Sequence, residues 1–318
     1  MRLTQWTDFT LRVLMYCAAC EGREQPVTIS EVAESHASKL IRRFERDIFP
    51  WLGGKAVAEI PPRELLQTVK RIENRGALET AHRALQNCSQ VFRYAVAQGL
   101  CDRDPSVDLK GALPPVKGRN FAAIVDPAGV AKLLQSFDRF KRTFVVLSAL
   151  RLSPLVFVRP GELRKARWED IDFESAEWSY YVQKTGTPHI VPLATQSISI
   201  LRDLHALTGH RPYVFAGRDP CKPMSENTVN AALRKLGYDT QKDITGHGFR
   251  AMARTILHEE LDFEPAVIEH QLAHSVPDPL GTAYNRTKFL KQRKLMMQEW
   301  ADYLDGLKTG KNDVRHND

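Results

Sequence analysis

The sequence predicts a mainly α-helical protein with one small antiparallel sheet, an α+β chain in which a helical bundle precedes a mixed domain. Three observations carry this. Apolar residues recur at helical spacing along most of the 318 residues. Strand-like runs are confined to 171–173, 177–183 and 189–193, and the last two flank Lys184-Thr185-Gly186-Thr187 as a hairpin would. Between the halves lies Gly111-Ala112-Leu113-Pro114-Pro115-Val116-Lys117-Gly118-Arg119, where paired prolines cannot continue a helix and the glycines add freedom.

Residues 1–37 hold two short helical patterns. Phe9, Val13, Leu14 and Cys17 share a helical face, and Thr28-Ile29-Ser30-Glu31 is a capping box that opens the second. Residues 38–110 read as an all-helical domain. Leu40, Ile41, Phe44, Ile48 and Phe49 form one stripe that Pro50 and Gly53-Gly54 end. Pro61-Pro62 opens a helix carrying Leu65, Leu66, Val69 and Ile72, and a long helix after Gly76 carries Leu85, Cys88, Val91, Phe92 and Ala95 to a stop at Gly99. His82, Arg83 and Arg93 line its other faces, as a DNA-gripping surface or an ordinary solvated one. The linker is residues 111–119. Residues 120–306 form the mixed domain, with helical patterns at 126–137, 141–151, 160–167, 194–207, 225–236 and 246–260, and residues 307–318 are expected to be a disordered tail.

Lys and Arg number 45 against 38 Asp and Glu, a net charge of +7 that agrees with a polyanionic partner without requiring one. The cysteines, Cys17, Cys20, Cys88, Cys101 and Cys221, are odd in number and irregularly spaced, which argues against a disulfide framework. Cys17 and Cys20 sit in an apolar helical pattern with no second pair, so they read as small buried hydrophobes rather than metal ligands. No apolar run is long enough to span a membrane and the N-terminus lacks a signal-peptide pattern, so a cytoplasmic, nucleoid-associated protein is expected.

The residues that carry chemistry lie in the mixed domain. Breaking a phosphodiester without metal requires a nucleophile, cations aimed at the non-bridging oxygens, and an acid for the leaving oxygen. Arginine suits the second role because its planar fork matches two phosphate oxygens. Arg159 precedes Pro160-Gly161-Glu162 at a helix start, a location that also favours phosphate. Lys184 sits at the hairpin tip. His247 and Arg250 are at i and i+3 and share a helix face. His274 ends Gln271-Leu272-Ala273-His274, and Tyr284 lies in Ala283-Tyr284-Asn285-Arg286. Taken singly, each also reads as a surface, packing or turn residue.

Their order, Arg, Lys, His-x-x-Arg, His, Tyr, resembles the signature of the tyrosine recombinases. So does the text around them: FVRPGELRKARWEDID, TPHIVPLA, PMSENTVNAALRKLGY, GHGFRAMARTIL, IEHQLAH and AYNR, together with ALETAHRALQNCSQVFRYAVAQG and MMQEWADYLD, look like integrases of satellite phages and genomic islands. The resemblance covers roughly residues 38–305 and implies a core-type DNA-binding domain followed by a catalytic domain, joined as a C-shaped clamp. It implies that Arg159 and Arg250 bind the scissile phosphate and Lys184 protonates the departing 5′-oxygen. His247 then moves the proton at the nucleophile, His274 bonds a non-bridging oxygen, and Tyr284 attacks phosphorus to leave a 3′-phosphotyrosyl link. No metal, ATP or other cofactor enters such a reaction. The implied partners are duplex attachment sites, three further copies of the chain in a synaptic tetramer, and a directionality or host DNA-bending factor. Lys117, Arg119 and Arg286 join Arg83 and Arg93 as DNA-contact candidates. Beyond Tyr284, residues including Lys288, Lys291, Arg293 and Lys294 read as a basic helix lying on DNA, against a neighbour, or in solvent.

The sequence departs from the family twice. The arm-type DNA-binding domain with which such integrases begin is missing, and the opening MRLTQWTDFTLRVLMYCAACEG…VTISEVAE resembles winged-helix repressors that sense iron–sulfur status and nitric oxide. That match stops near Ala37, so neither a cluster nor a working winged helix is expected. Pro277, Pro279 and Gly281, between His274 and Tyr284, are poor helix formers. These departures leave a weakened integrase remnant or a non-enzymatic DNA-binding regulator as alternatives, alongside a nickase of the type IB topoisomerase kind. Covalent trapping on nicked DNA separates them.

Overall fold

The computed structural model describes residues 40–116, 118, 121–182, 186–274 and 289–310. The N-terminal segment with its repressor-like text, the cysteines Cys17 and Cys20, and residues 311–318 of the expected tail lie outside the described residues, whereas residues 307–309 of that tail continue the last helix, because Leu307 packs into the core. The chain divides into two compact units, Met1–Arg119 and Asn120–Asp318.

The described part of the first unit is helical. Residues 40–47 (α1) run through a turn at Ile48 into the short α2, Phe49–Leu52. Pro62–Asn74 (α3) and Leu78–Ala97 (α4) follow. Leu65, Val69 and Ile72 recur at i, i+4 and i+7, so one face of α3 is apolar and buries against Ala81, Ala84, Cys88 and Phe92 of α4 and Phe44 of α1. Pro62 opens α3 where its missing N–H costs nothing. Gly76 closes the turn to α4 with φ +80°, a conformation glycine adopts freely. The buried Asp47 carboxylate takes hydrogen bonds from Arg46 (2.7 Å) and Arg75 (2.8 Å), pinning α1 to the end of α3.

The second unit wraps helices around one long apolar helix and a three-stranded sheet. Asp126 caps Pro127–Phe137 (α5) by accepting from the Gly129 N–H. Phe144–Val156 (α6) is buried along most of its length. It starts three residues later than its apolar pattern suggested and continues through Pro154. The proline removes one N–H near the C-terminal end, and the freed helix end is used: Pro154 O accepts from the Trp300 indole at 2.9 Å. Pro160–Arg164 (α7) is shorter than its pattern.

The sheet is β1 (Ile171–Asp172), β2 (Glu177–Tyr181) and β3 (Pro188–Pro192), antiparallel in the order β1-β2-β3. Trp178 pairs with Val191 and Tyr180 with His189, which turns Trp178 and Val191 into the core and leaves Tyr181 exposed. Thr195–Thr208 (α8), Thr228–Lys235 (α9), Gly248–Glu259 (α10), Pro265–Gln271 (α11) and Leu290–Thr309 (α12) complete the described elements. The sequence had not separated α11, a seven-residue helix too short to display periodicity. Met296, Met297, Trp300, Ala301, Leu304 and Leu307 give α12 one buried face against α5, α6 and β3. No described helix is long and apolar enough to cross a membrane.

Candidate active site

The site begins where α6 ends. Phe157 takes a left-handed conformation (φ 35°), which stops the helix and turns the chain so that Arg159 becomes the residue before α7. Glu162, one turn later, reaches back. Its Oε2 accepts the Arg159 backbone N–H at 3.1 Å and the Tyr180 hydroxyl at 3.0 Å, and its Oε1 accepts Arg159 Nη1 at 2.9 Å. The carboxylate is almost wholly buried (side chain 5% exposed) while the Arg159 side chain remains 20% exposed, so the guanidinium is anchored on one side and open on the other. Burial, reinforced by Glu162, holds the Tyr180 phenol well above its usual range. Tyr180 therefore stays protonated as a donor to Glu162 and is unsuited to act as a nucleophile.

His247 and Arg250 come from the start of α10. Arg250 is buried, and its fork is anchored at three points: Nη1 donates to Phe157 O at 3.1 Å, and Nη2 to Leu272 O at 2.8 Å and to His274 Nε2 at 3.0 Å. Burial, then the neighbouring Arg159, lower its pKa to about 10, which leaves it a cation at neutral pH. Half-buried His247 lies against the Phe121 ring, with centroids 4.2 Å apart. Burial first, then Arg250, Arg159 and His274, push its pKa below the ordinary histidine value. The ring is thus neutral near pH 7 and able to take a proton.

Between them sits Gly248, at the first position of α10. A Cβ there would meet Ala122 O at 2.1 Å, and that same carbonyl accepts the Thr245 N–H at 3.1 Å. Gly248→Ala is expected to destabilise the unit by about 2–3 kcal/mol, as overpacking against backbone does. Denaturant unfolding measures it, and an unchanged midpoint would contradict the close approach.

His274 is delivered by the end of α11. Ala273 is left-handed (φ 51°), the His274 N–H bonds Glu269 O, and the Ala273 N–H bonds His270 O. This is the Schellman arrangement, with alanine at the position usually given to glycine. Arg159 Nη2 donates to Ala273 O at 3.2 Å, so the guanidiniums of Arg159 and Arg250 bond consecutive carbonyls of one turn. Four of the residues singled out from sequence, Arg159, His247, Arg250 and His274, are therefore gathered around residues 272–274. Two guanidiniums and two imidazoles thus lie close together, with Arg159, His247 and His274 partly exposed and Arg250 buried, a grouping chemically suited to an anion.

Behind the turn is a buried polar floor. Gln271 Oε1 accepts from Arg293 Nε (2.8 Å) and Nη2 (2.6 Å), Arg293 also donates to Ile190 O, and His189 Nε2 bonds Gln271 O at 3.2 Å. Arg293, expected on the surface of a basic helix, is 1% exposed. Gln271 Oε1 and Ile190 O hold it inside, as a buried guanidinium requires. Lys294, from the same run, pairs with Glu177 at 2.7 Å.

Burial, then Arg293 and His270, lower the His189 pKa to about 3. Since the unfolded chain takes up that proton near 6.5, stability contributed by neutral His189 is complete above pH 6.5 and is lost as pH falls toward 3. Between pH 6.5 and 4.5 the protein is expected to lose about 2–3 kcal/mol more than His189→Gln does, at roughly 1.4 kcal/mol per unit. Parallel unfolding curves at the two pH values measure this.

Lys184, Tyr284, Lys117, Arg119 and Arg286 lie outside the described residues. Arg83 and Arg93 are exposed on α4 of the first unit, with Arg83 paired to Glu79 one turn away. The sequence shows Glu162 only as a cap and not as the anchor of Arg159, places Arg293 on a surface helix, and gives no role to Tyr180, Glu269 or Gln271. A carboxylate within one turn of a singled-out cation or histidine was the available signal for Glu162 and Glu269.

Comparison with known proteins bears on these features. The profile of the phage integrase family matches residues 124–290, and that of the phage integrase central domain matches residues 25–112. The integrase of Enterobacteria phage P4 is 36% identical over 300 residues, covering 89% of this chain and 68% of the relative. A lambda integrase dimer bound to a COC′ core site superposes with a TM-score of 0.63 at 19% identity, covering 89% of this chain and 98% of that one. A lambda integrase tetramer bound to a Holliday junction gives 0.61 at 18% identity, covering 87% and 79%. At those identities the structural likeness is one of fold.

Proposed function

This chain belongs to the phage integrase family and is a site-specific recombinase of the tyrosine type, and on that premise we propose that Tyr284 is its nucleophile and that Arg159, Lys184, His247, Arg250 and His274 serve it. The single observation that carries the assignment is the convergence of Arg159, Arg250, His247 and His274 around one turn from three separate parts of the chain.

In this reading a scissile phosphate enters between the guanidiniums of Arg159 and Arg250, which take its non-bridging oxygens and the charge that grows on them. His274 Nε2 lies beside Arg250 and, once it carries a proton, donates to the same oxygens. The Tyr284 oxygen attacks phosphorus and its proton passes to neutral His247. The bond to the 5′-oxygen breaks, and Lys184 supplies the proton that makes it a hydroxyl. A 3′-phosphotyrosyl ester remains and preserves the bond energy, so a 5′-hydroxyl of the partner duplex can reverse the chemistry on a new strand.

Duplex attachment sites are the proposed substrate, with a synaptic tetramer as the working assembly and a directionality or DNA-bending factor as a further partner. The solved lambda integrase assemblies, a dimer on a core site and a tetramer on a Holliday junction, support that reading. Arg83, Arg93, Lys117, Arg119 and Arg286 are the proposed phosphate contacts outside the active site, giving a grip that weakens steeply with salt. A non-enzymatic regulator is not favoured, because a protein that only binds DNA has no use for two anion-directed guanidiniums and a neutral histidine in one pocket.

The test is a suicide duplex from the element's own end, nicked so that the cleaved flank diffuses away. A detergent-resistant adduct is expected, and peptide mass spectrometry should find the nucleotide on the peptide containing Tyr284. An adduct on Tyr180, or none with binding retained, would sink the assignment.

A further inference from the structure

The Schellman turn that delivers His274 also sets its ring over a carboxylate. Glu269 occupies the third residue from the helix end, His274 the second beyond it, and the backbone bond between them brings the side chains together. His274 Nδ1 lies 2.5 Å from Glu269 Oε2, and Nε2 lies 3.0 Å from Arg250 Nη2. A guanidinium only donates and a carboxylate only accepts, so both contacts are satisfied together by one neutral tautomer: the proton on Nδ1, the lone pair on Nε2. Glu269 is itself held, with its other oxygen accepting from Arg254 Nε at 2.6 Å. Burial alone would raise the Glu269 pKa, but the hydrogen bonds from His274 and Arg254 bring it below the ordinary value, so it is a carboxylate at working pH. The charged groups facing the His274 ring are thus Glu269 on α11, Arg250 and Arg254 on α10, and Arg159 before α7, with His247 close by. Of these only Glu269 can accept its Nδ1 proton at the distances found.

We propose that Glu269 is a positioning residue for the recombination reaction, acting through His274: it holds the Nδ1 proton and the plane of the ring so that Nε2 stays turned to the phosphate site, where it donates once it too is protonated. The proposal rests on the assignment of that site to the scissile phosphate. Because the His274 side chain is 45% exposed, packing alone does not hold the ring, and without the carboxylate it is free to rotate and to exchange tautomers.

Two measurements test this. The first is single-turnover cleavage of the suicide duplex by the full-length chain. Glu269→Ala should be slower by about 10–100-fold, the usual effect of removing the group that orients a functional histidine. Glu269→Gln, which keeps an acceptor oxygen, should recover most of the rate, and Glu269→Ala combined with His274→Ala should be no slower than His274→Ala alone. Losses that multiply in the double variant would mean that Glu269 serves the fold and not the ring. Arg254→Ala controls for the second bond. The other measurement is ¹⁵N resonance of the imidazole nitrogens without DNA, assigned by loss of the signal in His274→Gln. At a pH where the ring is neutral, Nδ1 should carry the proton in the unsubstituted protein, and the two tautomers should mix in Glu269→Ala. A proton found on Nε2, or a tautomer indifferent to Glu269, overturns the proposal while leaving the recombinase reading intact. Absence of any adduct from the unsubstituted protein strikes the nucleophile assignment instead, and the resonance experiment, needing no cleavage, still judges Glu269.

Discussion

Tyr284→Phe will bind attachment-site duplex as the parent chain does and leave no covalent adduct, a loss of at least about 10⁴-fold in cleavage of the kind seen when a nucleophile is deleted. The substitution removes one oxygen and keeps the ring, so the bulk of the side chain is unchanged. Binding draws on phosphate contacts spread over the protein, and none of those proposed uses the phenol. The expected contrast is therefore sharp: mobility shifts at the same protein concentration, with the detergent-resistant band gone. Tyr180 does not substitute, because its hydroxyl is committed to Glu162 and its phenol is held protonated. Residual adduct in Tyr284→Phe would point to another nucleophile, and peptide mapping would name it.

Arg250→Ala should be the next most damaging change, slowing cleavage by about 10³-fold or more. The fork does two jobs with one group. It binds Phe157 O, Leu272 O and His274 Nε2, joining the end of α6 to the turn after α11, and the same cation faces the anion site. Alanine leaves buried carbonyls without donors, at about 1–3 kcal/mol each, so a stability loss accompanies the rate loss. Arg250→Lys separates the two jobs. The charge stays, but a single ammonium cannot serve two carbonyls held by separate nitrogens of the fork and a phosphate as well. Its expected profile is a cleavage loss of about 10²–10³-fold with a much smaller shift in unfolding midpoint than alanine causes. Lysine cleaving within about threefold of the parent would show that charge alone suffices and that the fork geometry has no part in the step.

Much of the architecture was legible in the order of residues because the relevant signals are local. The apolar stripes of α3, α4, α5 and α10, the proline starts of α3 and α7 and the strand runs on either side of the hairpin each depend on neighbours a few positions away. The proposed set of chemical residues rests on a different signal: an Arg, a His-x-x-Arg pair and a later His in that order match a known family pattern. The element ends were less readable. α6 ran past Pro154 because core packing of the final turn outweighs one missing hydrogen bond, and α11 was too short to show a period.

By itself, then, the sequence determined the helix-and-hairpin plan and the identity of the cations and histidines offered to a phosphate. Tertiary structure alone decided their state. Arg293 and Arg250 look alike in a basic sequence, yet both are buried, one as the floor of the site and the other as its wall, because acceptors from distant segments meet them there. Arg250 finds Phe157 O 93 residues back in the chain and Leu272 O 22 residues ahead. A charge can leave water only where such partners already wait, and which carbonyls wait where is settled by packing over the whole unit, beyond the reach of any local pattern.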